Sequence, residues 1–152
     1  MPPDVGMTGG GKLDAYLQGV AARIGRPTEV RSGFLAGSTE GDGTSTPEVA
    51  ASNEWGVPSK GQPPRPFFRQ MIAKHKGEWG AQLGKLLKAN DYDAARCLGL
   101  MGEVIDGELR QSIIDLTSPK LMPVTVARKG FDKPLFETGG MLRRVAPEGI
   151  ES

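Results

Sequence analysis

Two long amphipathic runs separated only by Asn90-Asp91 constrain this chain more than any other feature of its sequence. In the first, about 66–89, Phe68, Ile72, His75, Trp79, Leu83 and Leu86 fall within one stripe at about 100° per residue. In the second, about 92–116, Leu98, Met101, Ile105, Leu109, Ser112 and Leu116 do the same. So short a connection between two long helices predicts an antiparallel hairpin, its apolar stripes facing each other and a sheet.

The elements around the hairpin follow from local signals. Leu13, Leu17, Val20, Ala21 and Ile24 recur at helical spacing until Gly25 and Pro27 stop them. Residues 28–36 predict a strand with Val30, Phe34 and Ala36 on one side, and "GSTEGDGTST" predicts a loop. Thr46-Pro47-Glu48 combines a threonine cap, a first-turn proline and an acid, so 47–55 reads as a short helix stopped by Gly56. Pro58, Pro63 and Pro64 keep the next connection extended, and Pro66 opens the hairpin's first helix. Beyond the hairpin, Thr125 caps a short turn through Lys129, Thr138 caps a last helical turn, and 144–150 reads as a closing strand. The expected fold class is α+β: a small antiparallel sheet packed against a long two-helix hairpin, with an N-terminal helix and a short helix before the hairpin. Residues 1–11 read as a flexible tail and 12–152 as a single domain.

Composition narrows the function. With 152 residues the chain suits one domain, and 22 glycines with 12 prolines leave much of it in loops. Nineteen basic residues nearly balance 18 acidic ones, which argues against a dedicated nucleic-acid or membrane-surface binder. "MPPDVGMTGGGK" lacks the basic and apolar blocks of a signal peptide, and no run approaches the ~18 apolar residues of a membrane span. A lone Cys97 excludes an intrachain disulfide and fits synthesis in a reducing cytosol.

No catalytic set emerges. Gly6 to Lys12 is spaced like the start of a phosphate-binding loop, but Leu13 stands where Mg²⁺ needs Ser or Thr, and no apolar strand precedes it. A tail is the preferred reading, and a nucleotide-binding protein using 6–12 the alternative. The sole histidine, His75, lies in an apolar stripe and reads as a packed core residue. Metal-ligand spacing and paired carboxylates are missing, so no enzyme activity, cofactor or metal is expected. Pro63 to Pro66 fits a minimal polyproline ligand, but any proline-rich helix entry produces that pattern, and structural stiffening is the preferred reading. Lys129, Lys133, Arg143 and Arg144 form a loose basic cluster, read as a solvated face. Ala73, Gly77, Gly80 and Gly84 align on the helix flank away from Trp79, at ~1 kcal/mol per interior glycine. Either these glycines face solvent or a neighbouring subunit packs closely there.

Two segments together carry a family likeness. "EVAASNEWG…PPRPFFRQMI" (48–72) resembles the A-x-x-N-E-F-G and P-x-R-P-F signature of tailed-bacteriophage neck and tail-completion proteins. "TVARKGFDKPLFETGGMLR" (125–143) resembles the same family's T-x-x-x-K-G-x-x-K-P-L-x-D-T-G-x-L block. Asn53, Glu54, Trp55 and Gly56 take the N-E-F-G places, and Arg65, Pro66 and Phe67 the R-P-F places. Lys129, Gly130, Lys133, Pro134, Leu135, Thr138 and Gly139 match the second block, with Trp55 replacing Phe and Glu137 replacing Asp.

The resemblance implies a non-enzymatic virion protein, assembled in the host cytoplasm and placed in the neck or tail. Such proteins form a ring, six-fold in the family picture, at the head-proximal end of the tail or in the neck, and help join tail to head. Its partners would be itself, head-completion or connector proteins, and the tail tube or its terminator, with only incidental contact to channel DNA. A tail terminator capping the tube is the alternative within the same logic. Gly77, Gly80 and Gly84 would supply one subunit interface. Within the first block, Trp55 and Phe68 are expected to pack the two helices into one core, with Arg65 holding the Glu54 carboxylate.

Overall fold

The computed structural model describes residues 10–25 and 29–116, and the backbone of 145–150. Helix dominates: α1 (Gly10–Ile24), α2 (Thr46–Trp55), α3 (Phe67–Ala89) and α4 (Ala94–Asp115). β1 (Glu29–Phe34) follows α1, and β2 (Val145–Ile150) pairs with it antiparallel, from Glu29 opposite Ile150 to Phe34 opposite Val145. α4 lies against both strands and against α3.

The hairpin turns where the sequence breaks. Asp91 and Tyr92 both take left-handed backbone, φ 52° and 58°. The Tyr92 N–H returns to the Leu87 carbonyl at 2.8 Å, and the Asp93 side chain caps α4 by accepting the Arg96 N–H at 3.1 Å. Cross-links run antiparallel along the pair. Ser112 Oγ donates to the Phe67 carbonyl at 2.6 Å, while near the middle of α3 Trp79 Nε1 donates to Glu108 Oε2 at 2.7 Å.

The core gathers at one end of the hairpin. Phe67 and Met71 of α3, Leu109, Ile113 and Leu116 at the end of α4, and Ala50 of α2 are all buried. Phe34 stands edge-on to Phe67, ring centres 6.2 Å apart. This shifts the α3 stripe from its expected centre: Phe68, Ile72, His75, Trp79, Leu83 and Leu86 are only half-buried, and Phe67 and Met71 are the fully buried pair. Among the described residues, β1 and α2 meet α3 at its N-terminal end, Phe34 on Phe67 and Glu54 on Phe68 and Arg69, whereas farther along α4 packs against it through Glu108 on Trp79. Cys97 and Asp106 join the buried face of α4.

Several local expectations need correction. α1 starts at Gly10, inside the expected tail, so Gly10, Gly11 and Lys12 are exposed helical residues rather than a phosphate loop. Ser45 occupies the α2 cap position, and Thr46 is a fully buried helical residue. The 58–64 connection is not extended throughout, because Pro58–Lys60 forms a 3-10 turn closed by a Val57–Gln62 bridge. β1 ends at Phe34, leaving Ala36 exposed in a turn; Ser32, not Ala36, shares the inner side with Val30 and Phe34. Ser32 Oγ donates to Asp106 Oδ1 on α4, a contact across layers that strand periodicity does not signal. Thr125, Thr138, the basic cluster and the whole second sequence block lie outside the described residues.

Candidate functional site

The matched residues of the first sequence block, Asn53 to Phe67, form the corner between α2 and α3, and several of them have a structural task there. Gly56 comes first because the chain must turn out of α2 with φ 75°. A Cβ at this position would lie 2.7 Å from both the Gln62 carbonyl oxygen and the Pro64 nitrogen, so only glycine fits.

Asn53 ties the returning chain to α2. Its backbone carbonyl accepts the Arg65 N–H at 2.7 Å, and its side-chain oxygen accepts from Gln62 Nε2 at 3.3 Å. Pro66 then sits at the α3 cap position, where it offers no side-chain acceptor for the orphan N–H groups of the first turn. Glu54 supplies one from another helix. Its carboxylate accepts the N–H of Phe68 at 2.9 Å and of Arg69 at 3.2 Å, and Arg69 Nε lies 2.7 Å from Oε1. A buried acid thus faces the positive end of α3, where the helix dipole favours it.

Arg65 is therefore not the partner of Glu54. It is only 6% exposed, its Nε finds no partner among the described residues, and burial alone draws its pKa below the usual guanidinium value. Trp55 departs from expectation more sharply. At 64% exposed it lies outside the core, with the Arg69 guanidinium stacked 4.1 Å from its ring centre.

No family model, curated protein or solved structure matches this chain. The corner must accordingly be read from its own chemistry. Behind Trp55 an apolar groove of about 320 Å³ opens, bounded by Phe34, Pro47, Ala50, Ala51, Phe67 and Phe68. That is near the lower end, ~300 Å³, of small-ligand pockets, and suits one or two large side chains. The polar side chains among its described lining residues, Glu54 and Arg69, are already engaged with each other and with backbone.

The other candidate residues lie elsewhere. Gly77, Gly80 and Gly84 line α3 with no described residue within 4 Å of where their side chains would be, Gly77 and Gly80 exposed and Gly84 partly buried. His75 is not a packed core residue: it is partly exposed, its Nδ1 3.3 Å from Glu108 Oε1, and Glu108 also holds Trp79. Among the described residues no cluster of His, Cys, Asp or Glu could hold a metal ion, and no helix is long and apolar enough to cross a membrane. Lys129, Gly130, Lys133, Pro134, Leu135, Thr138 and Gly139 lie outside the described residues.

Sequence reasoning missed Arg69, the residue on which the corner turns. Counting from Pro66, it occupies the third position of α3, where a helix N-terminus seeks an acceptor, and Glu54 was the nearest candidate acid of the block. Asp106 carried no such signal. Its burial depends on β1 crossing α4.

Proposed function

We propose that this chain is a structural, non-enzymatic protein of a tailed-phage virion, assembled in the host cytoplasm into a ring at the neck or head-proximal tail end. There it helps join tail to head. The observation that carries this reading is the α2–α3 corner: Asn53, Glu54, Gly56, Arg65 and Pro66, the residues of the likeness, build a rigid elbow. That elbow exposes Trp55 beside an apolar groove and contains no reactive set. Such a surface suits docking rather than turnover.

In this reading the β1–β2 pair is the small sheet that backs the hairpin, and the ring partners are copies of the chain, head-completion or connector proteins and the tail tube. The open Gly77, Gly80 and Gly84 face of α3 is one subunit contact. A terminator role, capping the tube, uses the same surfaces with a different neighbour.

Negative-stain electron microscopy of lysates from a phage with a nonsense codon in this gene tests the proposal. Filled heads beside separate tails are expected. Tails of abnormal length favour the terminator role, and intact infectious particles overturn both.

A further inference from the structure

Arg65 is a buried cation that has no acid beside it among the described residues. Only 6% of its surface meets water, and its Nε has no hydrogen-bond partner there. Glu54, the acid of the same corner, is already taken: its carboxylate accepts the Phe68 and Arg69 N–H groups and the Arg69 guanidinium. Burial alone moves the Arg65 pKa, and no neighbouring carboxylate offsets it. An ion taken out of water without a counter-charge weakens a fold, whereas an unbranched apolar side chain of similar length would fill the same space without that penalty. The charge of Arg65 therefore does nothing for the stability of the corner it sits in.

Its backbone, by contrast, is firmly held. The Arg65 N–H donates to the Asn53 carbonyl at 2.7 Å, and the Arg65 carbonyl accepts the Phe67 N–H at 2.8 Å. Pro64 and Pro66 restrict the chain on either side. The side chain thus starts from a fixed point, so the cation is in place before any ligand arrives.

We propose that Arg65 is the seat of a carboxylate carried by a partner molecule. The guanidinium presents a planar fork of N–H donors that a carboxylate meets with two hydrogen bonds. A single negative charge suits the place because no second cation assists it. Arg69 is committed to Glu54, and Lys60 is exposed, so a phosphate dianion would leave one charge unbalanced in a buried site. The carboxylate seat does not depend on the virion reading.

The test uses purified full-length chain and acetate as the probe, replacing chloride at constant ionic strength, with inorganic phosphate as a parallel series. Arg65→Met removes the charge while keeping an unbranched stem. In chloride the variant is expected to unfold at or above the temperature of the parent. Acetate should raise the parent midpoint saturably, by about 3–5 °C at ten times its dissociation constant, and leave the variant unmoved. In proton–nitrogen correlation spectra of the parent, the Arg65 Nε–H signal, identified by its loss in the variant, should shift along the same acetate series. A variant markedly less stable than the parent in chloride would mean that the chain itself pairs Arg65, and would overturn the proposal. So would equal responses of parent and variant to acetate, an Nε–H signal that stays in place, or a response to phosphate alone.

Discussion

Glu54 and Arg69, one at the end of α2 and the other at the start of α3, are joined twice at one carboxylate oxygen, besides the bond from Arg69 Nη2 to the Glu54 backbone carbonyl. The Glu54 Oε1 accepts the Arg69 backbone N–H at 3.2 Å and its Nε at 2.7 Å. The first bond completes a helix cap that Pro66 cannot make; the second fixes the guanidinium, which then lies over Trp55. One acid so couples a helix end, a helix crossing and the posture of an exposed aromatic ring.

Removing that acid should be costly. Glu54→Ala strands two N–H groups of the α3 first turn, and a lost cap together with unsatisfied donors amounts to about 2–3 kcal/mol. Glu54→Gln keeps a neutral acceptor and should lose about 1 kcal/mol. Urea unfolding reads both, and an alanine variant as stable as the parent would refute the cap.

Two glycines make opposite forecasts. Gly56→Ala forces a side chain into left-handed backbone and onto the Gln62 carbonyl, and should destabilise by more than about 2 kcal/mol. Gly80→Ala meets open space in mid-helix and should stabilise the isolated chain by about 0.5–1 kcal/mol. A bulkier Gly80→Leu should leave the isolated fold near parental stability while blocking assembly, if this face meets a neighbour. Thermal unfolding gives the first two signs, and particle yield gives the third.

Asp106 should make stability depend on pH in an unusual direction. It is 1% exposed, its Oδ2 has no hydrogen-bond partner among the described residues, and burial raises its pKa despite the Ser32 hydrogen bond and the charge of Arg110. A raised folded pKa means the native state binds the proton more tightly than the unfolded chain, so this group's penalty grows as pH rises through its folded value. Asp106→Asn should therefore be more stable than the parent at neutral pH. That advantage should shrink as pH falls toward the unfolded aspartate value of about 3.9. Denaturant midpoints of both proteins across that range decide it; a constant difference would mean Asp106 is not the source.

Aromatic truncations should separate surface from core. Trp55→Ala removes a mostly exposed ring and its cation–π contact, for about 1 kcal/mol or less. Phe67→Ala empties the centre of the core, for about 3–5 kcal/mol. Equal losses in chemical denaturation would contradict the placement of Trp55.

The helices were legible because the signals are local, although the start of α1 and the cap of α2 fell elsewhere than expected. Periodicity marked α1, α3 and α4; Pro47 and Gly56 bracketed α2; Asn90-Asp91 marked the hairpin turn. Gly56 was readable as a helix stop, although the reason only glycine fits lies in Gln62 and Pro64, which fold back against it. Helical spacing also set the Gly77, Gly80 and Gly84 flank apart from the Trp79 stripe, and among the described residues nothing lies within 4 Å of where a side chain on those glycines would be.

What the tertiary structure alone decided is who meets whom. Glu54 had two arginines within reach along the chain, Arg65 and Arg69, and the 3-10 turn at Pro58–Lys60 set α2 against α3 so that the second one met it. The same placement put Phe67 rather than Trp55 into the core, and the crossing of β1 over α4 set Ser32 onto Asp106. Sequence determines helices through neighbours three and four residues away, whereas these choices turn on how one element crosses another, a geometry that no local pattern encodes.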